Sequence, residues 1–226
     1  MMSTSQKTSR LTFAGTLLAL GAISSLWAWW VIAPDVMTFT SAGMKKHAGH
    51  FSVVYFHALG GTIMLFLGLA NLYIGSTRRF FQHHKLVGRL YLLGGGLGAM
   101  SAVFITSTTA HKAAGISTLT NSNISLIALA GAWLLAAGMA FRAVRNRRYD
   151  THREWMIRSS VLVWSFVFCR LASRVPGVED MGGGDAFIWL SWVGPLILCE
   201  VALQWRAGSN NSFKPEPLRG SAQFRL

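Results

Sequence analysis

The sequence predicts an all-α polytopic membrane protein, built as a bundle of six transmembrane helices. Apolar residues make up 52% of the 226 positions, and only eight residues are acidic. Six stretches are apolar and long enough to cross a hydrocarbon core of roughly 30 Å as helices, which satisfy their own backbone hydrogen bonds. We place these spans at residues 11–33, 53–75, 86–108, 123–141, 156–175 and 187–205.

The first span also has to be weighed as a secretory signal peptide, because it follows a short basic segment. It is too long for that role, and Trp27, Trp29 and Trp30 near its far end are typical of an aromatic belt at the membrane interface. We therefore divide the chain into a cytoplasmic N-terminal tail (1–10), a transmembrane domain (11–205) and a cytoplasmic C-terminal tail (206–226).

The basic residues predict both the partner and the orientation of the chain. The formal net charge is +13, but Lys and Arg lie in short clusters between apolar runs, which favours anionic membrane lipid over nucleic acid. With the N-terminus inside, sixteen Lys and Arg lie on the cytoplasmic side and four on the outer side. The positive-inside rule therefore predicts an inner (plasma) membrane protein of bacterial type with both termini cytoplasmic.

Glycines are concentrated in the second and third spans. They are Gly60, Gly61 and Gly68 in the second span, and Gly94, Gly95, Gly96 and Gly98 in the third. Small residues let membrane helices approach closely, and we favour this interpretation. The alternative is that they leave room for a flat cofactor between helices.

The histidines are the most informative residues, because histidine is rare at lipid-facing positions. His57 lies in the first turn of the second span, His84 opens the third span, and His152 precedes the fifth. His111 follows the third span, 27 residues after His84, so a continuous helix separates the two by roughly 40 Å. His84 and His152 are therefore expected on the cytoplasmic face, and His57, with His111, His47 or His50 nearby, on the outer face.

Two imidazoles from facing helices are the usual axial ligands of a low-spin b-type heme. We therefore expect His84 and His152 to bind heme b, with Arg89, Arg153 and Arg158 placed to pair with its propionates. His57 is a candidate for a second redox or quinone site, to which His111 could contribute. The alternatives for His57, His84 and His152 are proton transfer or an interfacial role, and the interfacial role is our interpretation for His47, His50 and His83.

Two charges lie within the apolar spans, Glu200 in the sixth and Arg170 in the fifth. Buried membrane charges need partners, so we expect Arg158 to pair with Glu200, and Asp185 or Glu179 to pair with Arg170. No phosphate-binding glycine loop, HExxH motif or nucleophile elbow occurs, which disfavours nucleotide-driven and hydrolytic chemistry.

Three segments resemble a known family when they are taken together. They are His57–Gly61 (HALGG), His84–Tyr91 (HKLVGRLY) and His152–Ser159 (HREWMIRS), with Trp133 and Arg170 in addition. With these, residues 53–175 resemble the bacterial membrane family called domain of unknown function 2306. The resemblance implies that its pattern residues include His57, His84 and His152. The pattern also includes Gly88, Arg89, Trp155, Arg158 and Arg170, but not His111.

The leading functional hypothesis is a heme-binding electron-transfer protein of the membrane, similar in architecture to transmembrane b-type cytochromes. Its partners would be membrane lipid and a quinone or redox protein. A proton-coupled small-molecule transporter is the first alternative, because the same histidines could titrate along a polar path. A non-catalytic membrane protein is the second.

Overall fold

The computed structural model describes residues 21–27, 29–30, 48–114, 120–172 and 185–211, with single residues at 15, 19, 34, 175 and 177. Five long helices account for most of this part of the chain, and residues 21–27 of the first predicted span are also helical. The five helices are α1 (Phe51–Thr77), α2 (His84–Ala114), α3 (Asn121–Arg145), α4 (Tyr149–Ala172) and α5 (Asp185–Asn211).

The α1–α2 and α3–α4 connections are short and use left-handed backbone at non-glycine residues. Arg78 (φ 59°) caps α1 by donating its N–H to the Ile74 carbonyl, and Phe80 (φ 57°) then leads into a 3₁₀ turn, Phe81–His83. Arg147 (φ 57°) reverses the chain between α3 and α4. Such residues cost about 1–2 kcal/mol each in backbone strain. Their effect is to fold α1 against α2 and α3 against α4 as antiparallel pairs.

The α1–α2 pair is closely packed because glycines face each other across it. A Cβ added at Gly60 would lie 2.6 Å from both the Gly94 carbonyl oxygen and the Gly98 nitrogen, whereas one added at the adjacent Gly61 would meet nothing within 4 Å. Close packing, the favoured interpretation of these glycines, is therefore confirmed at Gly60 and Gly94.

The core of the bundle is centred on Tyr91 in α2, whose side chain is fully buried. Its hydroxyl group lies 2.9 Å from the Ser159 hydroxyl in α4 and accepts a hydrogen bond from the Trp133 indole N–H at 3.2 Å. A Cβ at Gly95 would overlap the Trp133 ring, so at this position the indole fills the space that the glycine leaves.

Four segments of the described chain are long and apolar enough to cross a membrane: Phe51–Thr77, Phe81–Thr108, Asn121–Arg145 and Ala186–Arg206. They match the second, third, fourth and sixth predicted spans. The fifth span corresponds to α4, which begins at Tyr149 and carries four charged residues before its apolar part: Asp150, Arg153, Glu154 and Arg158. The described part of the chain is thus all-helical, with four helical segments that are long and apolar enough to cross a membrane.

Candidate functional site

His84 lies at one end of the bundle. It is the first residue of α2 and directly follows the 3₁₀ turn. Its ring stacks on Phe81, with centroids 5.3 Å apart and planes 8° apart, and the Arg78 guanidinium lies 5.2 Å from the Phe81 centroid. The Nδ1 atom of His84 is buried and has no hydrogen-bond partner. The His84 imidazole is therefore packed against Phe81 on one face, and its Nδ1 makes no hydrogen bond to another described residue.

His152 approaches the same end of the bundle from the first turn of α4. Its Nδ1 lies 2.9 Å from the Ala140 carbonyl oxygen in α3. Because a carbonyl can only accept a hydrogen bond, Nδ1 carries the proton, and in the neutral ring Nε2 keeps its lone pair. Metal-binding histidines are commonly oriented by this kind of bond.

The two imidazoles meet although 68 residues separate them in the sequence. Their ring centroids are 6.4 Å apart and their planes are perpendicular, at 90°. The sequence placed His84 and His152 on the same face of the membrane, and the structure brings them together. Their role as ligands remains a prediction. We call these two residues the histidine pair.

His57 occupies the opposite end of the α1–α2 pair. Its Nδ1 donates to the Gly98 carbonyl at 3.0 Å, and its ring lies 5.9 Å from that of Phe166. Along α2, His84, Tyr91 and Gly98 are spaced seven residues apart, about 10 Å of helical rise per step. The histidine pair, the buried tyrosine and His57 therefore follow one face of the first half of α2.

The outer histidines are only partly described. His111 belongs to α2, so a continuous helix runs from His84 to His111, as the estimate of their roughly 40 Å separation requires. The His111 side chain lies outside the described residues. His50 contacts the Phe104 ring at 5.7 Å. His47 lies outside the described residues. A role for His111 beside His57 stays a prediction.

The arginines near the histidine pair divide into two groups. Arg89 and Arg153 are exposed, whereas the Arg158 side chain is 13% exposed and is committed to Glu200, with Nη2 2.7 Å from Oε2. The predicted Arg158–Glu200 pair is confirmed. The predicted pairing of Arg170 with Asp185 or Glu179 involves side chains that lie outside the described residues, and it stays a prediction.

Three features of the site were not anticipated from the sequence. They are the Arg78 guanidinium beside Phe81, the Ala140 carbonyl that holds His152, and the buried Asn71 in α1. The sequence could have indicated Asn71, since an amide within an apolar span needs a partner. It could not have indicated the Ala140 carbonyl, because every residue has a backbone carbonyl. Among the described residues, no three His, Cys, Asp or Glu side chains form a cluster suited to a metal ion.

These features define a polytopic helical membrane protein with paired imidazoles at one end of its bundle. The chain belongs to the family described as predicted membrane proteins, DUF2306, whose model matches residues 54–203. The match extends past the sequence resemblance at 53–175 and takes in most of α5, including Glu200. No curated protein and no solved structure matches the chain.

Proposed function

We propose that this protein binds a b-type heme at the histidine pair and passes electrons within the membrane. The observation that carries the proposal is the contact between the imidazoles of His84 and His152, whose centroids lie 6.4 Å apart. Imidazoles this close together, on two neighbouring helices, would be able to hold one metal between them. The observed spacing is therefore suited to a shared metal.

The number of ligands favours heme over an isolated metal ion. In the described part of the chain, the end that carries the histidine pair offers two imidazoles and no third metal-binding side chain close by. A structural zinc ion needs four protein ligands, and a catalytic one needs three. A heme iron receives four nitrogens from its macrocycle, so that two histidines complete its coordination.

The chain's own residues would hold and tune the group. His152 is fixed by the Ala140 carbonyl, and this bond leaves Nε2 as the coordinating atom. Arg78, Arg89 and Arg153 can offer positive charge to the propionates, whereas Arg158 is already neutralised by Glu200. When bound, the heme would supply the one-electron chemistry.

His57 would belong to a second site, near the outer face, for a quinone or another redox group. It is supported by the contact of His57 with the face of α2 that carries His84 and by its Nδ1 bond to the Gly98 carbonyl, which orients the ring. A redox protein or a membrane quinone would then be the electron partner, and His111 could contribute to this end.

We further propose six spans in an inner membrane of bacterial type, with both termini cytoplasmic. Four apolar helices support this arrangement, and α4 between them packs against α3 and α5 as a fifth crossing element. The charged start of α4 would then lie at the cytoplasmic interface, where Arg and Lys are favoured.

The test is an absorption spectrum of the purified full-length protein, expressed with an ample supply of heme. We expect a sharp Soret band and a reduced α-band, which His84→Ala or His152→Ala should abolish or shift, because one axial ligand cannot maintain the low-spin state. The matched control is His83→Ala, since His83 is exposed and contacts Gln82. A folded but colourless protein would overturn the proposal and favour proton-coupled transport.

A further inference from the structure

The end of the bundle that carries the histidine pair is strongly basic. In the part of the chain that the structure describes, the exposed Lys and Arg side chains all lie in the turns and helix ends of this region. They are Arg78, Arg79, Lys85, Arg89, Arg142, Arg145, Arg147, Arg148, Arg153 and Arg206. The described side chains at the opposite end, around His57, include no Lys or Arg. We call these ten exposed residues the basic face.

Acidic side chains do not neutralise the basic face. The described side chains include three carboxylates, those of Asp150, Glu154 and Glu200. Glu154 and Glu200 lie 3.9 Å and 2.7 Å from Arg158, which is mostly buried and is not part of the face. Within the described residues, the ion pairs therefore involve Arg158 alone, and the charge of the basic face is left exposed for an anionic partner.

The connection between α3 and α4 holds the densest group of these cations. Arg142 and Arg145 lie in the last turn of α3, and Arg147 and Arg148 follow it directly. The backbone N–H groups of Arg147 and Arg148 already donate to carbonyls of α3, so the guanidinium groups are what this turn offers to a partner. Arg147 has left-handed backbone (φ 57°), which glycine would adopt without strain. Strain of this kind is often retained where a side chain has a function.

Exposed aromatic rings lie among the cations of this end. Phe80, Phe141, Tyr149 and Trp205 are all exposed, and the Arg145 guanidinium carbon lies 5.8 Å from the Phe141 centroid. Aromatic rings beside Arg and Lys, at the ends of helices apolar enough to cross a membrane, are typical of the boundary between lipid headgroups and hydrocarbon. This combination favours a lipid partner over a soluble acidic protein.

We propose that the basic face selectively binds anionic phospholipid headgroups, with the α3–α4 turn as its main contact. The positive-inside rule concerns which side of the membrane a loop occupies. Selective binding is a separate property, which requires cations that stay exposed and unneutralised in the folded protein. Guanidinium groups donate paired hydrogen bonds to phosphate oxygens, and clusters of basic residues beside a membrane helix are a common form of anionic lipid site. The proposal does not depend on heme.

The test is native mass spectrometry of the full-length protein, equilibrated with phosphatidylglycerol and phosphatidylcholine of identical acyl chains. We expect the protein to retain phosphatidylglycerol in preference to phosphatidylcholine. Arg147→Gln combined with Arg148→Gln should reduce this preference by about fivefold for each arginine removed. Arg147→Lys combined with Arg148→Lys keeps both charges and is the matched control, which should retain most of the preference.

Arg147→Gly separates lipid binding from a purely structural role of the turn. It removes the strained backbone together with the charge, so the melting temperature in phosphatidylcholine should stay the same or rise. If Arg147 serves lipid binding, the preference for phosphatidylglycerol should fall in this variant even though the fold is not weakened.

Two results would overturn the proposal. One is equal retention of the two lipids by the unaltered protein, and the other is an undiminished preference in the Gln double variant. Binding of polyglutamate without a preference for phosphatidylglycerol would also overturn it and would identify an acidic protein as the partner.

Discussion

The guanidinium of Arg158 in α4 forms an ion pair with the carboxylate of Glu200 in α5. Its Nη2 and Nε lie 2.7 Å and 2.9 Å from the same oxygen, Oε2. The Trp155 ring lies 4.9 Å from the guanidinium carbon, and Gln204 donates to the second carboxylate oxygen at 2.9 Å. The pair thus joins two neighbouring helices, and both carboxylate oxygens of Glu200 accept hydrogen bonds. Its neutralisation of both charges is what permits them within the apolar bundle.

The first prediction concerns the coupling between these two residues. Glu200→Gln alone leaves Arg158 without its counter-charge, so we expect it to be better tolerated when Arg158→Met is also present. A double-mutant cycle on unfolding in detergent should give an interaction energy of about 1–3 kcal/mol. Glu154→Gln serves as the control, because its carboxylate is 3.9 Å from Arg158 and half exposed, which predicts weak coupling. Strictly additive losses for the Glu200 cycle would contradict this prediction.

The second prediction compares two adjacent glycines of α2. Gly95→Ala places a methyl group against the Trp133 indole and should lower stability by about 1–3 kcal/mol, because the ring has to move within a packed core. Gly96→Ala meets nothing within 4 Å and should have little effect or increase stability slightly through its higher helix propensity. Thermal unfolding of the purified variants measures the difference. Equal melting temperatures would show that Trp133 does not occupy this position.

The third prediction tests the hydrogen bonds at the centre of the bundle. Tyr91→Phe removes the acceptor of the Trp133 N–H and the partner of Ser159, and should destabilise the protein by about 1–3 kcal/mol. Tyr149→Phe is the matched control, since Tyr149 is 66% exposed at the start of α4. Chemical denaturation monitored by tryptophan fluorescence distinguishes them. Indistinguishable midpoints would mean that the hydroxyl group contributes nothing to the core.

The fourth prediction concerns topology. Reporter fusions after residues 48, 115 and 180 should report the outer side, and fusions after residues 82, 148 and 215 should report the cytoplasm. The physical reason is the excess of Lys and Arg in the segments assigned to the inside. Alkaline phosphatase and green fluorescent protein fusions provide complementary signals. Two consecutive sites that report the same side would remove the proposed span between them.

The sequence by itself determined the helical membrane class, the approximate positions of the described helices and the family. These follow from local properties, since apolar length and turn residues act over one segment at a time. It also indicated that Arg158 is the partner of Glu200 and that His84 and His152 share a face, because charge pairing and helix depth can be worked out from composition and rise.

Only the tertiary structure decided which groups surround the histidines. The Ala140 carbonyl beside His152, the Asn71 amide against Gly88 and the indole of Trp133 over Gly95 all depend on how helices rotate about their axes. The sequence pattern does not specify this rotation, because lipid-facing and core-facing sides of a membrane helix are both apolar and side-chain packing alone selects between them.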